Sequence, residues 1–270
     1  DNKVAGSYCS AFGYSNKSNS NSSAIGYFNE ANGVSSNAFG YQNKSGGWYS
    51  SAFGFQNTAS GESSVSFGYK NDSKGNRSVA MGFTNSSLAN DTVAVGFYNV
   101  ASVASSTAMG LSNNVSAASG TAVGIGNTVT GANSSAFGLN NTLSGSNSNV
   151  FGKDNTATGD SATVIGSSNT GNGNNGTAVG YGNISDSVYA SAIGSCNTAD
   201  GEETSAYGFS NQASGDGGNA FGSYNSANGY YASAFGDSNV SSGEDSNAFG
   251  SYNKAKADYS NAFGYKNFAD

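Results

Sequence analysis

The sequence predicts an all-β solenoid of about nineteen short coils, and three observations support this fold class. A small apolar unit ending in glycine recurs from Gly13 and Gly26 to Gly264, and every step is 14 residues except the first, which is 13. An Asn stands three places after each of these glycines. The period of 14 also equals two helical heptads, but 40 Gly exclude a long coiled coil, because each helical Gly costs roughly 1 kcal/mol relative to Ala.

Each repeat is predicted to form two short strands and two turns. In the repeat at residues 51 to 61, an extended run precedes a turn at Asn57, and a second run with small residues at alternate places precedes the other turn. An Asn or Gly at a fixed place suits a corner with left-handed backbone, and a column of Asn can hydrogen-bond from coil to coil. The structural positions of the repeat are Phe53, Gly54 and Asn57 in one copy, and Phe137, Gly138 and Asn141 in another.

Alternation in the first strand sends Ala52 to one face and Phe53 to the other. If the small residues of both strands meet inside the coil, the Phe/Ile/Val/Met row forms an exposed apolar stripe. If that row points inward, a flat Ala face remains outside. Either arrangement predicts an oligomer with parallel chains in register, because a soluble monomer does not expose so long a small or apolar surface. We expect the row of Phe39, Phe53 and Phe67 to be buried and structural.

Three stretches show the repeat most clearly: SSAIGYFNEANG (22 to 33), TAVGIGNTVTG (121 to 131) and SSAFGFQNTASG (50 to 61). These repeats resemble the head repeats of trimeric autotransporter adhesins, the YadA-like head. This chain mostly has Ser, Thr or Asn where the family often has Val before the Ala, and Phe where Ile is usual. The resemblance implies a left-handed parallel β-roll, assembled as a parallel homotrimer and displayed on the bacterial outer membrane.

We expect residues 1 to 270 to form a single head domain. The neck, coiled-coil stalk and membrane anchor that the family implies are not recognisable in this sequence. Contact with the membrane is therefore expected only through a C-terminal anchor outside this chain.

Composition argues against several function classes. The chain has no His, and the repeat accounts for most Ser, Asn and Asp as turn or strand positions, so no catalytic residues are predicted. No cofactor or metal site is expected, because phosphate-loop and calcium-nonapeptide motifs are absent and the acidic stretch DGEE (200 to 203) reads as a solvated corner. Residues 136 to 270 hold four basic and twelve acidic side chains, which makes nucleic acid an improbable partner.

The two cysteines, Cys9 and Cys196, fall in the first and fourteenth coils. Thirteen steps of about 4.8 Å place them roughly 60 Å apart, which is too far for a disulfide within one chain.

Aromatic residues interrupt the repeat at one corner, six and five residues before the glycine. Most copies carry Ser, Asn, Gly or Asp there, whereas some carry Trp or Tyr. Rigid amphipathic rings are typical of binding hot spots. The hypothetical receptor-binding residues are therefore Trp48, Tyr49, Tyr189, Tyr230, Tyr231 and Tyr259.

The predicted function is attachment to host cells, by non-covalent binding of a host surface protein such as an immunoglobulin-like receptor of the carcinoembryonic-antigen-related family. The receptor class comes from the family resemblance. The alternatives are an extracellular-matrix ligand (collagen, fibronectin or laminin), or a self-association or spacer role. Exposed aromatics that vary from coil to coil favour receptor binding over a spacer.

Overall fold

The computed structural model describes residues 1 to 270, and it confirms a parallel β-solenoid with two strands and two turns per coil of about 14 residues. Two compact units, Asp1–Ser134 and Ser135–Asp270, each contain a stack of such coils. Even-numbered strands have five residues and odd-numbered strands have two. Because the strands are extended, their residues alternate between the coil interior and the outer surface, as the period-two pattern predicts.

In the first unit, the two-residue strands β1 to β19 (odd numbers) are Lys3–Val4, Lys17–Ser18, Glu30–Ala31, Lys44–Ser45, Thr58–Ala59, Asp72–Ser73, Ser86–Ser87, Val100–Ala101, Asn114–Val115 and Thr128–Val129. The five-residue strands β2 to β18 (even numbers) are Ser10–Tyr14, Ser23–Tyr27, Asn37–Tyr41, Ser51–Phe55, Val65–Tyr69, Val79–Phe83, Val93–Phe97, Thr107–Leu111 and Thr121–Ile125.

In the second unit, the five-residue strands β20 to β38 (even numbers) are Ser135–Leu139, Asn149–Lys153, Thr163–Ser167, Thr177–Tyr181, Ser191–Ser195, Ser205–Phe209, Asn219–Ser223, Ser233–Asp237, Asn247–Ser251 and Asn261–Tyr265. The two-residue strands β21 to β39 (odd numbers) are Thr142–Leu143, Thr156–Ala157, Thr170–Gly171, Ile184–Ser185, Thr198–Ala199, Gln212–Ala213, Ser226–Ala227, Val240–Ser241, Lys254–Ala255 and Phe268–Ala269.

Within each unit, every strand pairs in parallel with the equivalent strand of the neighbouring coil. Ala52 of β8 lies beside Ala38 of β6 on one side and Ser66 of β10 on the other. The 13-residue step does not disturb this register, since Ala11 still pairs with Ala24 and Gly13 with Gly26. The missing residue is therefore absorbed in a turn and not in a strand.

The interior of the coil is built from small residues. Ala24, Ala31 and Ala38 are fully buried and pack together, so the Ala faces of the two strands meet inside. This answers the question that the sequence left open. Because the two strands approach closely, the interior has no room for a column of phenylalanine rings, and the Phe/Ile/Val/Met row lies on the outer face.

The asparagine column joins neighbouring coils by hydrogen bonds, as predicted. The backbone N–H and Nδ2 of Asn57 both donate to Oδ1 of Asn43, each over 3.0 Å. Nδ2 of Asn57 also donates to the carbonyl oxygens of Phe53 (2.8 Å) and Gly68 (2.7 Å). Asn57 is fully buried, so its amide satisfies backbone groups that water cannot reach.

The expectation that Asn itself takes the left-handed conformation is wrong. The residue before it does so instead, as Gln56 shows with φ of 53°. Gly54 adopts a positive φ of 115°, as the sequence predicted for a glycine at a fixed place. The physical reason is that Asn57 must point its amide inward along the stack, which leaves the sharp bend to the half-buried residue before it.

Candidate functional site

The corner that carries Trp48 and Tyr49 lies in the turn between β7 and β8. Two hydrogen bonds between coils fix its backbone: the N–H of Tyr49 donates to the carbonyl of Val34 (2.9 Å), and the N–H of Ser63 donates to the carbonyl of Trp48 (2.7 Å). Tyr49 takes a left-handed conformation with φ of 59°. The backbone of this turn is therefore held in place, while its two rings point into solvent.

The residues Trp48 and Tyr49 are 61% and 60% exposed. Neither forms a ring–ring contact within the chain, and the flanking Gly46 and Gly47 provide no side chains to cover them. Ser50, which follows them, is buried and donates its hydroxyl to the carbonyl of Gly47 (2.7 Å). The result is a firmly held corner with two uncovered aromatic side chains.

Tyr230 and Tyr231 occupy the equivalent turn in the second unit but have different surroundings. Their ring centroids lie 4.3 Å apart at an interplanar angle of 64°. A hydrogen bond with Tyr231 raises the pKa of the Tyr230 phenol, and the nearby charge of Tyr231 adds to this effect. The ring of Tyr231 lies over Gly217, where a Cβ atom would collide with it.

A shallow hollow of about 210 Å³ adjoins this tyrosine pair. Its other lining residues are Glu202, Glu203, Asp216 and Gly217. The carboxylate of Asp216 accepts a hydrogen bond from the backbone N–H of Glu202 (2.9 Å). This corner therefore carries three carboxylates, whereas the turn that follows the Trp48 turn along the stack carries one, Glu62.

The remaining predicted corner tyrosines, Tyr189 and Tyr259, are both exposed and take the same left-handed conformation. They lie in the second unit, in turns of their own, with Tyr259 two coils after Tyr231. The structure therefore places every predicted corner aromatic on the surface. It brings only two pairs together in adjacent positions: Trp48 with Tyr49, and Tyr230 with Tyr231.

The apolar row before each glycine is half-exposed and does not have the burial that we expected. Phe39 and Phe53 stack with centroids 5.0 Å apart, while Phe67 remains 53% exposed. In the second unit, Phe137 stacks on Phe151 at 5.0 Å. The row contributes ring stacking within the chain, but its outer surface stays uncovered.

A second aromatic row, one residue after each glycine, was not recognised in the sequence. It is a continuous stack of seven rings in the first unit, with centroids 4.5 to 5.4 Å apart and interplanar angles of 5 to 15°. The stacked residues are Tyr14, Tyr27, Tyr41, Phe55, Tyr69, Phe83 and Phe97. The signal was present in the repeat, because seven successive coils carry an aromatic residue at that one place.

Comparison with known families agrees with this geometry. The sequence model of the YadA head domain repeat (2 copies) matches residues 18–43, 47–71, 73–99, 116–141, 157–183, 227–253 and 241–267, which together exceed half of the chain. The chain belongs to the YadA head family. A search of curated protein sequences gave no significant match.

YadA heads are surface-exposed parts of autotransporter adhesins, and the family is one of adhesins and not of enzymes. The family membership therefore suggests a surface adhesin role for this head. None of its secondary-structure elements is a helix able to cross a membrane.

The charged groups of this YadA head are dispersed. No three Cys, Asp or Glu side chains converge in an arrangement that could hold a metal ion. Cys9 and Cys196 are both free thiols. The shortest ion pair joins Arg77 to Asp91, which lie in the same column of turns as Trp48 and Tyr49. The hydrogen bond from Arg77 lowers the pKa of the Asp91 carboxyl.

Proposed function

We propose that this YadA head is the binding part of a trimeric adhesin that attaches a bacterium to host cells through a host surface protein. The observation that carries the proposal is the uncovered pair Trp48 and Tyr49 on a hydrogen-bonded corner. Amphipathic aromatic side chains on a rigid frame lose little conformational entropy on binding, and such residues dominate the energy of protein interfaces.

The trimer is supported by the outward apolar row. Phe221, Phe235, Phe249 and Phe263 form a continuous stack with centroids 4.8 to 5.3 Å apart, and Phe263 is 59% exposed. A soluble protein rarely leaves so long an apolar surface uncovered. We infer that three parallel chains, each a left-handed β-roll, cover these rows by packing them toward a common axis. Light scattering after size exclusion should give about three times the chain mass of 26.9 kDa, and a stable monomer would contradict the trimer.

The proposed receptor is an immunoglobulin-like domain of the carcinoembryonic-antigen-related family. Its flat sheet face needs protruding apolar anchors within a polar rim. Trp48 and Tyr49 protrude, and the exposed Glu62 and Ser63 of the next turn provide polar surroundings. Because a trimer presents three copies of this corner, a site of modest affinity gains avidity on a surface dense in receptor.

We further propose display on the outer membrane of a Gram-negative bacterium, through a stalk and anchor that lie outside residues 1 to 270. Adhesion is then a non-covalent contact that needs neither turnover nor a metal ion. Binding should persist in a chelator. Complete loss in chelator with recovery on adding calcium would contradict this mechanism.

The test of the receptor site is the double variant Trp48→Ala with Tyr49→Ser. Both new residues already occur at these turn positions in other coils, as Ala104 and Ser63 show, so the backbone of the turn should remain intact. We expect the same oligomeric mass and melting temperature, with binding of a single receptor domain weakened by about 2 kcal/mol or more, the usual scale of a hot spot.

The matched control is Tyr230→Ala with Tyr231→Ser, which removes the equivalent ring pair from the acidic corner. Surface plasmon resonance with the receptor domain in solution measures single-site affinity without avidity. Normal binding by the control and weak binding by the first variant supports the Trp48 corner. Loss only in the control would move the site to the second unit, and normal binding by both would favour a spacer role over receptor binding.

A further inference from the structure

A hollow of the first unit lies on a different turn from Trp48. It has a volume of about 710 Å³ and follows the column of first turns from residue 1 to residue 58. Two walls define it, one from residues just before the buried asparagines and the other from residues just after them. We call this feature the lysine groove. Neither the repeat motif nor the receptor proposal explains it.

One wall of the lysine groove is a column of β-strand residues that stand side by side. Lys3 pairs in register with Lys17, Lys17 with Glu30, and Glu30 with Lys44. Three of these four side chains are cationic, and neighbouring positions are one coil apart, about 4.8 Å. Thr58 continues the column.

Charge in this wall is only partly compensated. Lys17 donates a hydrogen bond to Glu30 over 3.0 Å, and that bond holds the pKa of the Glu30 carboxyl below its ordinary value, with a further contribution from the charges of Lys17 and Lys44. Lys3 and Lys44 form no ion pair. Asp1 is the other carboxylate that lines the groove. Two exposed ammonium groups therefore remain available to an anion.

The opposite wall provides uncharged hydrogen-bonding groups and one apolar ring. Gln56 donates its side-chain amide to Oε1 of Gln42 (2.6 Å). The Nε2 of Gln42 and the Oε1 of Gln56 can therefore bond to a ligand. Phe28 is held edge-on against Tyr27, with centroids 4.6 Å apart at 88°. Ser15 completes the wall.

We propose that the lysine groove binds a linear anionic polysaccharide, a glycan chain that carries carboxylate or sulfate groups. A groove whose lining repeats once per coil matches a ligand that repeats along its own length. Lysines match the acidic groups, while the glutamine amides and the hydroxyls of Ser15 and Thr58 match sugar hydroxyls. Phe28 offers an apolar surface to a sugar ring.

An acidic peptide fits the groove less well. Extended peptides gain affinity by pairing their backbone with free strand edges, but the backbone of this wall is already paired within the stack. The N–H of Lys17 donates to Asn29 and that of Lys44 donates to Asn57, both over 2.8 Å. Binding to the second half of the chain is disfavoured, because the excess of acidic over basic side chains in residues 136 to 270 repels polyanions.

The test uses the assembled head with three probes: a heparin dodecasaccharide, a hyaluronan dodecasaccharide and neutral dextran. Calorimetry at physiological salt should show binding of at least one anionic oligosaccharide and none of dextran. Binding of heparin alone assigns the ligand to sulfated glycans, and binding of both assigns it to carboxylated glycans as well. Absence of binding to both anionic probes would overturn the proposal.

Lys3→Gln with Lys44→Gln removes the two unpaired cations and leaves the Lys17–Glu30 pair intact. We expect at least about a tenfold loss of affinity and a shallower dependence on salt, since fewer counterions are released on binding. The matched control is Lys254→Gln with Lys256→Gln, in which Lys254 occupies the same column of the repeat in the second unit. Equal loss in the control would show non-specific charge attraction and contradict a groove.

A third variant, Phe28→Ser, tests the uncharged wall without altering charge. Ser15 is the residue at this position in the preceding coil, so the fold should be retained. We expect weaker glycan binding with unchanged salt dependence.

Tighter binding of a polyglutamate peptide than of either glycan would assign the groove to acidic peptides instead. The Trp48 and Tyr49 variant should bind glycan normally, so failure of the receptor proposal would leave this one intact.

Discussion

Asn57 is hydrogen-bonded to the equivalent asparagine of both neighbouring coils. Its Nδ2 donates to Oδ1 of Asn43, and its Oδ1 accepts from Nδ2 of Asn71, each at 3.0 Å. The amide of each asparagine therefore depends on both neighbouring coils. A change at one asparagine leaves partners unsatisfied above and below it.

We predict that Asn57→Ala lowers the free energy of unfolding by about 3 kcal/mol or more. The backbone N–H of Asn71 and the carbonyls of Phe53 and Gly68 lose their partner inside the protein, and each buried unsatisfied group costs about 1 to 3 kcal/mol. Urea denaturation measures the total effect, and hydrogen exchange at Asn71 locates it. Asn32→Ala is the control, because Asn32 is exposed and surface changes stay within about 0.5 kcal/mol.

Substitution by Ala should strongly destabilise the fold at one glycine, Gly54, and change its stability little at another, Gly46. At Gly54, φ is +115° and an added Cβ would collide with the carbonyl oxygen of Gly68, so Gly54→Ala should cost at least about 3 kcal/mol. At Gly46, an added Cβ meets nothing within 4 Å, so Gly46→Ala should change stability by less than about 1 kcal/mol. Similar melting temperatures for the two variants would contradict this account.

The interior contains a compensated pair of one large and one small residue. Val164 occupies a position that is Ala in most coils, and Gly171 faces it where other coils have Ala, Ser, Val or Leu. A Cβ on Gly171 would lie 2.6 Å from Cγ2 of Val164. We predict that Gly171→Ala alone costs about 1 to 3 kcal/mol by overpacking. Adding Val164→Ala should recover most of that loss, because the pair then matches the Ala–Ala packing of other coils. A double-mutant cycle with purely additive costs would refute the pairing.

The Lys17–Glu30 pair should make stability sensitive to acid. Because the folded state lowers the pKa of Glu30 below its ordinary value of 4.5, the pair stabilises the fold above that pH and loses its effect as the carboxyl becomes protonated. Lys17→Gln should raise this pKa toward 4.5 and reduce stability near neutral pH, with the difference from the unmodified protein vanishing in acid. Carbon-detected NMR titration of Glu30 measures the pKa. Lys70→Gln, which removes a lysine that has no ion pair, serves as the control.

The repeat predicted the strands and turns of this fold because each coil carries the same constraints at the same places. Sequence could not decide which row of the first strand lies inside, since Ala52 and Phe53 are both apolar. The width of the interior decides it, and that width depends on how closely two strands approach. The left-handed residue was assigned to Asn57 because Asn tolerates that conformation, whereas the buried amide network requires Gln56 to bend instead.

The candidate sites were predictable to different degrees. Corner aromatics such as Trp48 could be found because they interrupt a regular column. The lysine groove could not, because its walls come from side chains in several coils, and only the stacked structure brings those side chains together. The seven-ring stack leaves a clear signal in the sequence, because seven successive repeats have an aromatic residue directly after the glycine. The signal is visible when the residues at that one position are compared across all repeats.

The register is unchanged across the 13-residue coil, in which Gly13 still pairs with Gly26. Two kinds of mutation are therefore compatible with the fold: a change in the number of coils, and a change in the length of one turn. Unequal recombination that adds or removes 14 codons would preserve every strand pairing, since each coil presents the same surface to the next. A one-residue change of length is accommodated in the turn opposite the asparagines, between β3 and β4. A lineage carrying such a gene can therefore change the number of coils and the side chains at that corner independently, which allows reach and ligand preference to diverge on separate evolutionary paths.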